Sequence, residues 1–454
     1  MRNNIDINFH CEENLIFKNN NKKIIEAISK IIKVIKNPDN LDDITKEVIE
    51  NQYSSMHIYS NVCVVLAECF EIIKDKKLLD EIHYNYMVKI REELYSTSSL
   101  NSSLFSGIVG VGFGVYFLYE KTLNYKKFID SLNELIVELV QNEIENNIST
   151  LENVKVTDYD TIVGLAGVTG YLLLFKNEDY IRICIEKILK YIVKLSDDIE
   201  VHGHKVPGWY VSSENQILDA DKKYYKRGNF NLGLAHGITG PLTILALALK
   251  EGIEVSGQKE SISKILYDLK RFRYRDENGD TYWPGILSFE EYIDGEVRQK
   301  KTNRASWCYG TPGIARAMYI SSSVVGDEEG MEISINAIEC LCKMNEKEWG
   351  FNSPTFCHGY AGLLAVVQAM YMDTGNIKFD VGREKILEKL LGFFDEESLL
   401  GFYDIDLKDA INGNLELVKR NSMGLLDGVV GIALILLSFI KPIKTNWMRI
   451  FMIN

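Results

Sequence analysis

Six times along the chain a G-x-x-G turn is followed by a segment that is apolar on every side. The turns begin at Gly107, Gly164, Gly237, Gly310, Gly359 and Gly428, spaced by 57, 73, 73, 49 and 69 residues. A unit of one kind recurring at a loose period signals a repeat architecture, in which each unit buries its apolar face against its neighbours. Segments such as Pro241-Leu-Thr-Ile-Leu-Ala-Leu-Ala-Leu249 and Leu363-Leu-Ala-Val-Val-Gln-Ala-Met-Tyr371 leave no wet face, so they read as inner helices. The segments before the turns are amphipathic, with Ile262, Ile265, Leu266 and Leu269 at helical spacing in one case, and read as outer helices.

Seven pairs are expected: 23–36 with 57–73, 77–96 with 108–120, 126–147 with 165–177, 178–197 with 234–250, 259–272 with 311–322, 331–345 with 360–373, and 383–396 with 429–440. The first inner segment lacks the glycine turn. Such alternation fits an open solenoid or a closed two-layered ring. A solenoid needs polar capping faces, and the last inner segment, Val429 to Ile440, is strongly apolar, which favours closure. With seven prolines and no low-complexity linker, residues 1–454 are expected to form one all-α domain. The less helical stretches 198–232 and 273–303 are expected to be long, partly β loops over one rim. Within them 274–283 and 289–297 read as turn-linked short strands.

A net charge of -13 excludes a broad basic face for nucleic acid. The chain opens on the polar Met1-Arg2-Asn3-Asn4-Ile5-Asp6, unlike a secretory signal, and its longest apolar run, 429–440, is too short to span a bilayer. A cytoplasmic protein is expected, and its eight cysteines then read as core thiols and metal ligands rather than disulfides. Cys340 and Cys342 lie in an outer-helix pattern and read as packing residues. His202 and His204 form an H-x-H with no third ligand nearby.

The residues that carry chemistry share one structural place, just before a glycine turn. Asp160 stands four residues before Gly164, His236 immediately before Gly237, Cys308 two before Gly310, and Cys357-His358 immediately before Gly359. If the inner helices run parallel, these side chains gather at one end of the axis, where helix N-termini add positive potential and favour thiolates. Cys308, Cys357 and His358 make a Cys2His set, which suits zinc and leaves one tetrahedral position open. Their spacing is not a metal-finger pattern, since the two cysteines are 49 residues apart. A lone His236 reads as a satisfied core histidine and a lone Asp160 as a helix cap. Their position beside three ligand-type residues reverses both readings. Arg304 is either a surface cation or a partner for Asp160.

In order and context, Asp160-x3-Gly164, Ala235-His236-Gly237, Ser306-Trp307-Cys308-Tyr309-Gly310 and Cys357-His358-Gly359 resemble the motifs of the lanthipeptide (lantibiotic) cyclases, the LanC family. The resemblance spans nearly the whole chain. It implies a closed α/α toroid of seven helix pairs with one zinc ion, held by Cys308, Cys357 and His358, and with Asp160, His236 and Arg304 as active-site residues around it. It also implies a reaction, the addition of peptide cysteine thiols to dehydroalanine or dehydrobutyrine to form thioether rings. The implied partners are a dehydrated precursor peptide, a separate dehydratase and a peptide exporter, which would hold the protein in the cytoplasm or at the membrane periphery. The sequence has no G-x4-G-K-[ST] loop and no kinase motifs of its own. Two rivals stand beside this reading. One is another zinc thiol-alkylating transferase, against which the Cys2His set counts; the other is a non-catalytic peptide-binding protein with structural zinc.

Overall fold

The computed structural model describes residues 18–42, 44, 57–147, 151–277, 279–298, 305–409 and 415–454. Among them, fourteen long helices make two layers. In chain order they are α1 (Lys18–Ile35), α2 (Ile58–Glu68), α3 (Lys76–Ser96), α4 (Ile108–Thr122), α5 (Lys126–Asn147), α6 (Leu165–Leu172) and α7 (Asp179–Lys194). The second half adds α8 (Thr239–Lys250), α9 (Gln258–Arg271), α10 (Thr311–Val325), α11 (Glu328–Lys343), α12 (Tyr360–Thr374), α13 (Asp380–Leu391) and α14 (Val429–Ile440).

Odd-numbered helices are the outer layer and even-numbered ones the inner, as the apolar patterning predicts. α1 buries Ile24, Ala27, Ile28, Ile31, Ile32 and Ile35 along one stripe, whereas α12 is buried without a break from Tyr360 to Met370. Each inner helix packs on the next, from α2 through α4, α6, α8, α10 and α12 to α14, and α14 packs back on α2. That last contact closes the ring. No helix among the described residues is long and apolar enough to cross a membrane.

The glycine turns are a steric device, and its limit is space rather than φ. In five of the six turns a Cβ on the second glycine would collide with the carbonyl oxygen six residues earlier: Gly110 on Leu104 at 2.4 Å, Gly167 on Thr161 at 2.2 Å, Gly313 on Trp307 at 2.1 Å, Gly362 on Phe356 at 1.9 Å and Gly431 on Leu425 at 2.2 Å; in the sixth, Gly240 would meet the Thr161 hydroxyl at 2.4 Å. Only a residue without a side chain lets each helix start that close to its own turn. Neighbouring turns are then stitched together by backbone hydrogen bonds. Phe105 N donates to Ile162 O (3.2 Å), Thr161 N to Ala235 O (3.0 Å), Ala235 N to Cys308 O (3.2 Å), Cys308 N to Cys357 O (3.3 Å) and Cys357 N to Leu426 O (2.8 Å). The six turns thus lie side by side at one end of the ring.

Among the described residues, four two-stranded antiparallel sheets decorate it: β1 (Asp198–Val201) with β2 (His204–Pro207), β3 (Asn229–Asn231) with β6 (Ile286–Ser288), β4 (Tyr274–Arg275) with β5 (Thr281–Tyr282), and β7 (Asp404–Asp409) with β8 (Leu415–Arg420). The β3–β6 pair, extended by Leu232 N to Gly285 O (2.8 Å), runs directly into the Gly237 turn. Two expectations need correction. Residues 289–294 are a short helix, Phe289–Asp294, not a strand, because Ser288 and Glu291 form a capping box and Gly295 closes the other end at φ 73°. The β7–β8 hairpin lies outside both predicted loop regions. Of the two cysteines in α11, Cys342 is buried against Gly382, while Cys340 is only partly covered.

Candidate active site

Three residues from two adjoining turns converge. The ligand atoms of Cys308, Cys357 and His358 all lie within 4.8 Å of one another, although the chain between the cysteines makes the whole of α10, α11 and the turn before α12. The Cys308 N–H bond to the Cys357 carbonyl fixes the register of the two turns. Cys308 is 8% exposed and its thiol also reaches Ser306 Oγ at 3.6 Å. Hydrogen bonding with Cys357 holds the Cys308 thiol down to about 7 against the opposing effect of burial. Cys357 is pushed up well above the usual thiol range, by sharing that proton with Cys308 and then by burial. Two neighbouring sulfurs with an imidazole beside them, Cys308 buried and the other two residues partly so, are a donor set that fits a soft divalent cation such as zinc. The other described cysteines are free and buried or half-buried in helices or, for Cys69, just after one, and no second such cluster occurs among the described residues.

On the far side of the Cys308 turn is a carboxylate–imidazole pair. His236 Nδ1 stands 2.5 Å from Asp160 Oδ2, with Asp160 fully buried and the His236 side chain 25% exposed. Asp160 is a cap as well: its Oδ1 accepts the N–H groups of Val163 and Gly164, both at 2.8 Å, where α6 begins. Asp160 is therefore a cap through one oxygen and the partner of His236 through the other. Thr161 Oγ donates to Leu234 O (2.7 Å), which binds the two turns on either side of the pair. The Tyr309 ring lies 5.9 Å from that of His236, and Asn231 Nδ2 bonds its hydroxyl at 3.3 Å.

Arg304 lies outside the described residues. His202 and His204 stand at the β1–β2 turn with their rings edge-on to Phe289 at 5.1 and 5.9 Å, away from any ligand cluster. Sequence reasoning missed the β7–β8 hairpin, which docks on the ligand turn through Ile405 N to Ser353 Oγ (3.3 Å). It brings Asp404, paired with Arg420 at 2.6 Å, near enough to His358 and Asp427 to sense their charges, while burial pushes its carboxyl up. The signal was present in the alternation around Ile405 and Leu407, the turn dipeptide Asn412-Gly413, and Leu415 and Leu417.

Fold and site together define a helical toroid with a Cys2His cluster and a carboxylate–imidazole pair at one end of its axis. The sequence model described as lanthionine synthetase C-like protein matches residues 49–452, and the chain belongs to that family. It is 30% identical over 327 residues to the nisin biosynthesis protein NisC of Lactococcus lactis subsp. lactis, covering 70% of this chain and 75% of that protein. The solved structure of nisin cyclase superposes with a TM-score of 0.75 at 26% identity, over 91% of this chain and 97% of that one.

Proposed function

We propose that this protein is a zinc-dependent lanthipeptide cyclase that adds cysteine thiols of a dehydrated precursor peptide to dehydroalanine or dehydrobutyrine, closing (methyl)lanthionine rings. The observation that carries the reading is the convergence of Cys308, Cys357 and His358 beside the Asp160–His236 pair, within a family whose relatives include a nisin cyclase. Cys308, Cys357 and His358 would hold one zinc ion per chain, which would supply the Lewis acidity that makes a peptide thiol nucleophilic at neutral pH. Asp160 fixes the ring orientation of His236 through Nδ1, which leaves Nε2 to move the proton. Sulfur bonds to the β-carbon, the double bond's electrons pass to the α-carbon and its carbonyl, and His236 delivers a proton to the α-carbon. No group leaves, so mass is unchanged. Arg304 is assigned as the cation of the site, for the developing enolate oxygen or for Asp160.

We read residues 1–454 as one working domain, which the continuous packing of the ring supports. A separate dehydratase prepares the peptide and an exporter removes the product; the free cysteines suit the reducing cytoplasm where the peptide is made. The test is mass spectrometry after thiol alkylation of a dehydrated precursor, with and without the protein. Loss of alkylatable thiols at constant peptide mass is expected. Thiols that stay fully alkylatable would leave the two rivals, the peptide-binding protein and another zinc thiol-alkylating transferase.

A further inference from the structure

Beyond α14 the chain turns back and fills the bore of the ring from the end opposite the turns. Lys441, Lys444 and Thr445 wrap around Glu68, which is 1% exposed. Its Oε1 accepts the Lys441 ammonium and the Lys444 N–H (2.9 Å), and its Oε2 the Thr445 N–H (2.9 Å) and hydroxyl (2.6 Å). The segment Trp447–Phe451 then forms one buried 3-10 turn. Arg449 pairs with Glu251 at 2.5 Å, and Arg316, inside α10, donates Nε–H to Ile453 O at 2.8 Å.

At the inner end of this plug stands Phe451. Its ring stacks on Phe356 at 3.6 Å between centroids and meets Trp307 edge-on at 6.1 Å and Phe105 at 6.3 Å. Its carbonyl accepts the Trp307 indole N–H at 2.8 Å. Trp307 immediately precedes Cys308 and Phe356 immediately precedes Cys357. One side chain therefore grips the residue next to each thiol, whereas the two cysteines themselves are joined through the 3.3 Å backbone bond from Cys308 N to Cys357 O. A metal site tolerates errors of a few tenths of an ångström in ligand placement, and ligands on separate turns need a common support to meet that tolerance.

We propose that Phe451 is a positioning residue for the Cys308–Cys357 pair, clamping Trp307 and Phe356 from within the bore and so setting the spacing of the two thiols. The inference rests on the reading of Cys308, Cys357 and His358 as a metal centre. A merely structural plug would cost stability without affecting metal binding, so the control is a cavity of the same size elsewhere in the ring. Phe117, 1% exposed in α4 and packed on Phe113 and Tyr116, provides it.

The experiment titrates Co2+ into the full chain in competition with a chelator and records the thiolate-to-cobalt absorption, with helicity checked for each variant. Phe451→Ala is expected to bind roughly ten- to a hundredfold more weakly than wild type, the scale for lost support behind a ligand, with altered bands. Phe117→Ala is expected to bind like wild type. Trp307→Phe, which keeps an aromatic ring but removes the N–H bond to Phe451 and part of the buried indole, and Phe451→Leu are expected to lie between, and they carry the test if Phe451→Ala does not fold. Wild-type affinity and bands in Phe451→Ala, or in both milder variants where they carry the test, overturn the positioning role alone, as does an equal loss in Phe117→Ala. A wild-type chain that binds neither Co2+ nor Zn2+ overturns the metal centre, and this inference with it.

Discussion

The turns at Gly359 and Gly428 are built alike and do different work. In both, the second glycine seats its helix against a carbonyl six residues back, Phe356 for Gly362 and Leu425 for Gly431, and the turns are joined by Cys357 N to Leu426 O. One carries Cys357 and His358; the other carries no member of the ligand cluster. The architecture is thus a repeated steric device, and the chemistry is added to some copies of it by changing one or two residues before the glycine. Packing and reactivity should then be separable by mutation.

The largest effect is expected where chemistry is removed and packing kept. Cys357→Ala or Cys308→Ala leaves two protein donors, too few for a stable site, so metal and ring formation should both be lost while far-ultraviolet helicity stays near wild type. Metal analysis and circular dichroism check it. Helicity that collapses with the metal would mean that the ion holds the ring together. A smaller effect is expected from packing itself. Gly431→Ala should destabilise by ~1–3 kcal/mol through overpacking against Leu425 O and leave metal affinity alone. Gly362→Ala should cost as much stability and weaken the metal too, since its relief moves Phe356 and Cys357. Equal metal affinity in the two variants, measured by competition, would break the comparison.

The smallest effect is expected away from the turns. Asp268 on α9, 9% exposed, bonds the Tyr292 hydroxyl at 2.9 Å under the β1–β2 hairpin. Burial pushes its carboxyl up to about 6, against the pull of Tyr292 and Arg271, with Asp198 adding to the rise. The ionised form is the costly one in the folded state. Between pH ~6 and ~4 the folded chain therefore takes up a proton that the unfolded chain does not, and stability rises as pH falls through that window. Asp268→Asn keeps an acceptor for Tyr292 and should add ~1–2 kcal/mol at pH 8 and almost nothing near pH 4. Urea unfolding at the two pH values decides; the same increment at both would mean that the carboxyl carries no strain.

The ring was legible because its helices obey one rule each: a stripe of isoleucines in α1, no polar face in α12. The candidate site was legible because Cys308, Cys357, His358, His236 and Asp160 all stand within the four residues before a glycine turn. What escaped was held together by tertiary contacts without a repeated signal. The run 447–453 has no periodicity to mark it as a plug, and Phe451 becomes informative only once Trp307 and Phe356 are seen around it. The helix at 289–294 was misread because its aromatic and β-branched residues look strand-like, while the deciding Ser288–Glu291 box is local and polar.

The division of labour between the turns is tested most directly at His236, which resembles a ligand by position but pairs with Asp160. Zinc content and ring closure are measured together on His236→Asn. The account predicts near-full zinc, retained peptide binding and ring closure slowed roughly a hundredfold or more, the scale for losing a general acid or base. Loss of zinc along with activity would make His236 a ligand, close the position needed by the peptide thiol, and contradict the account.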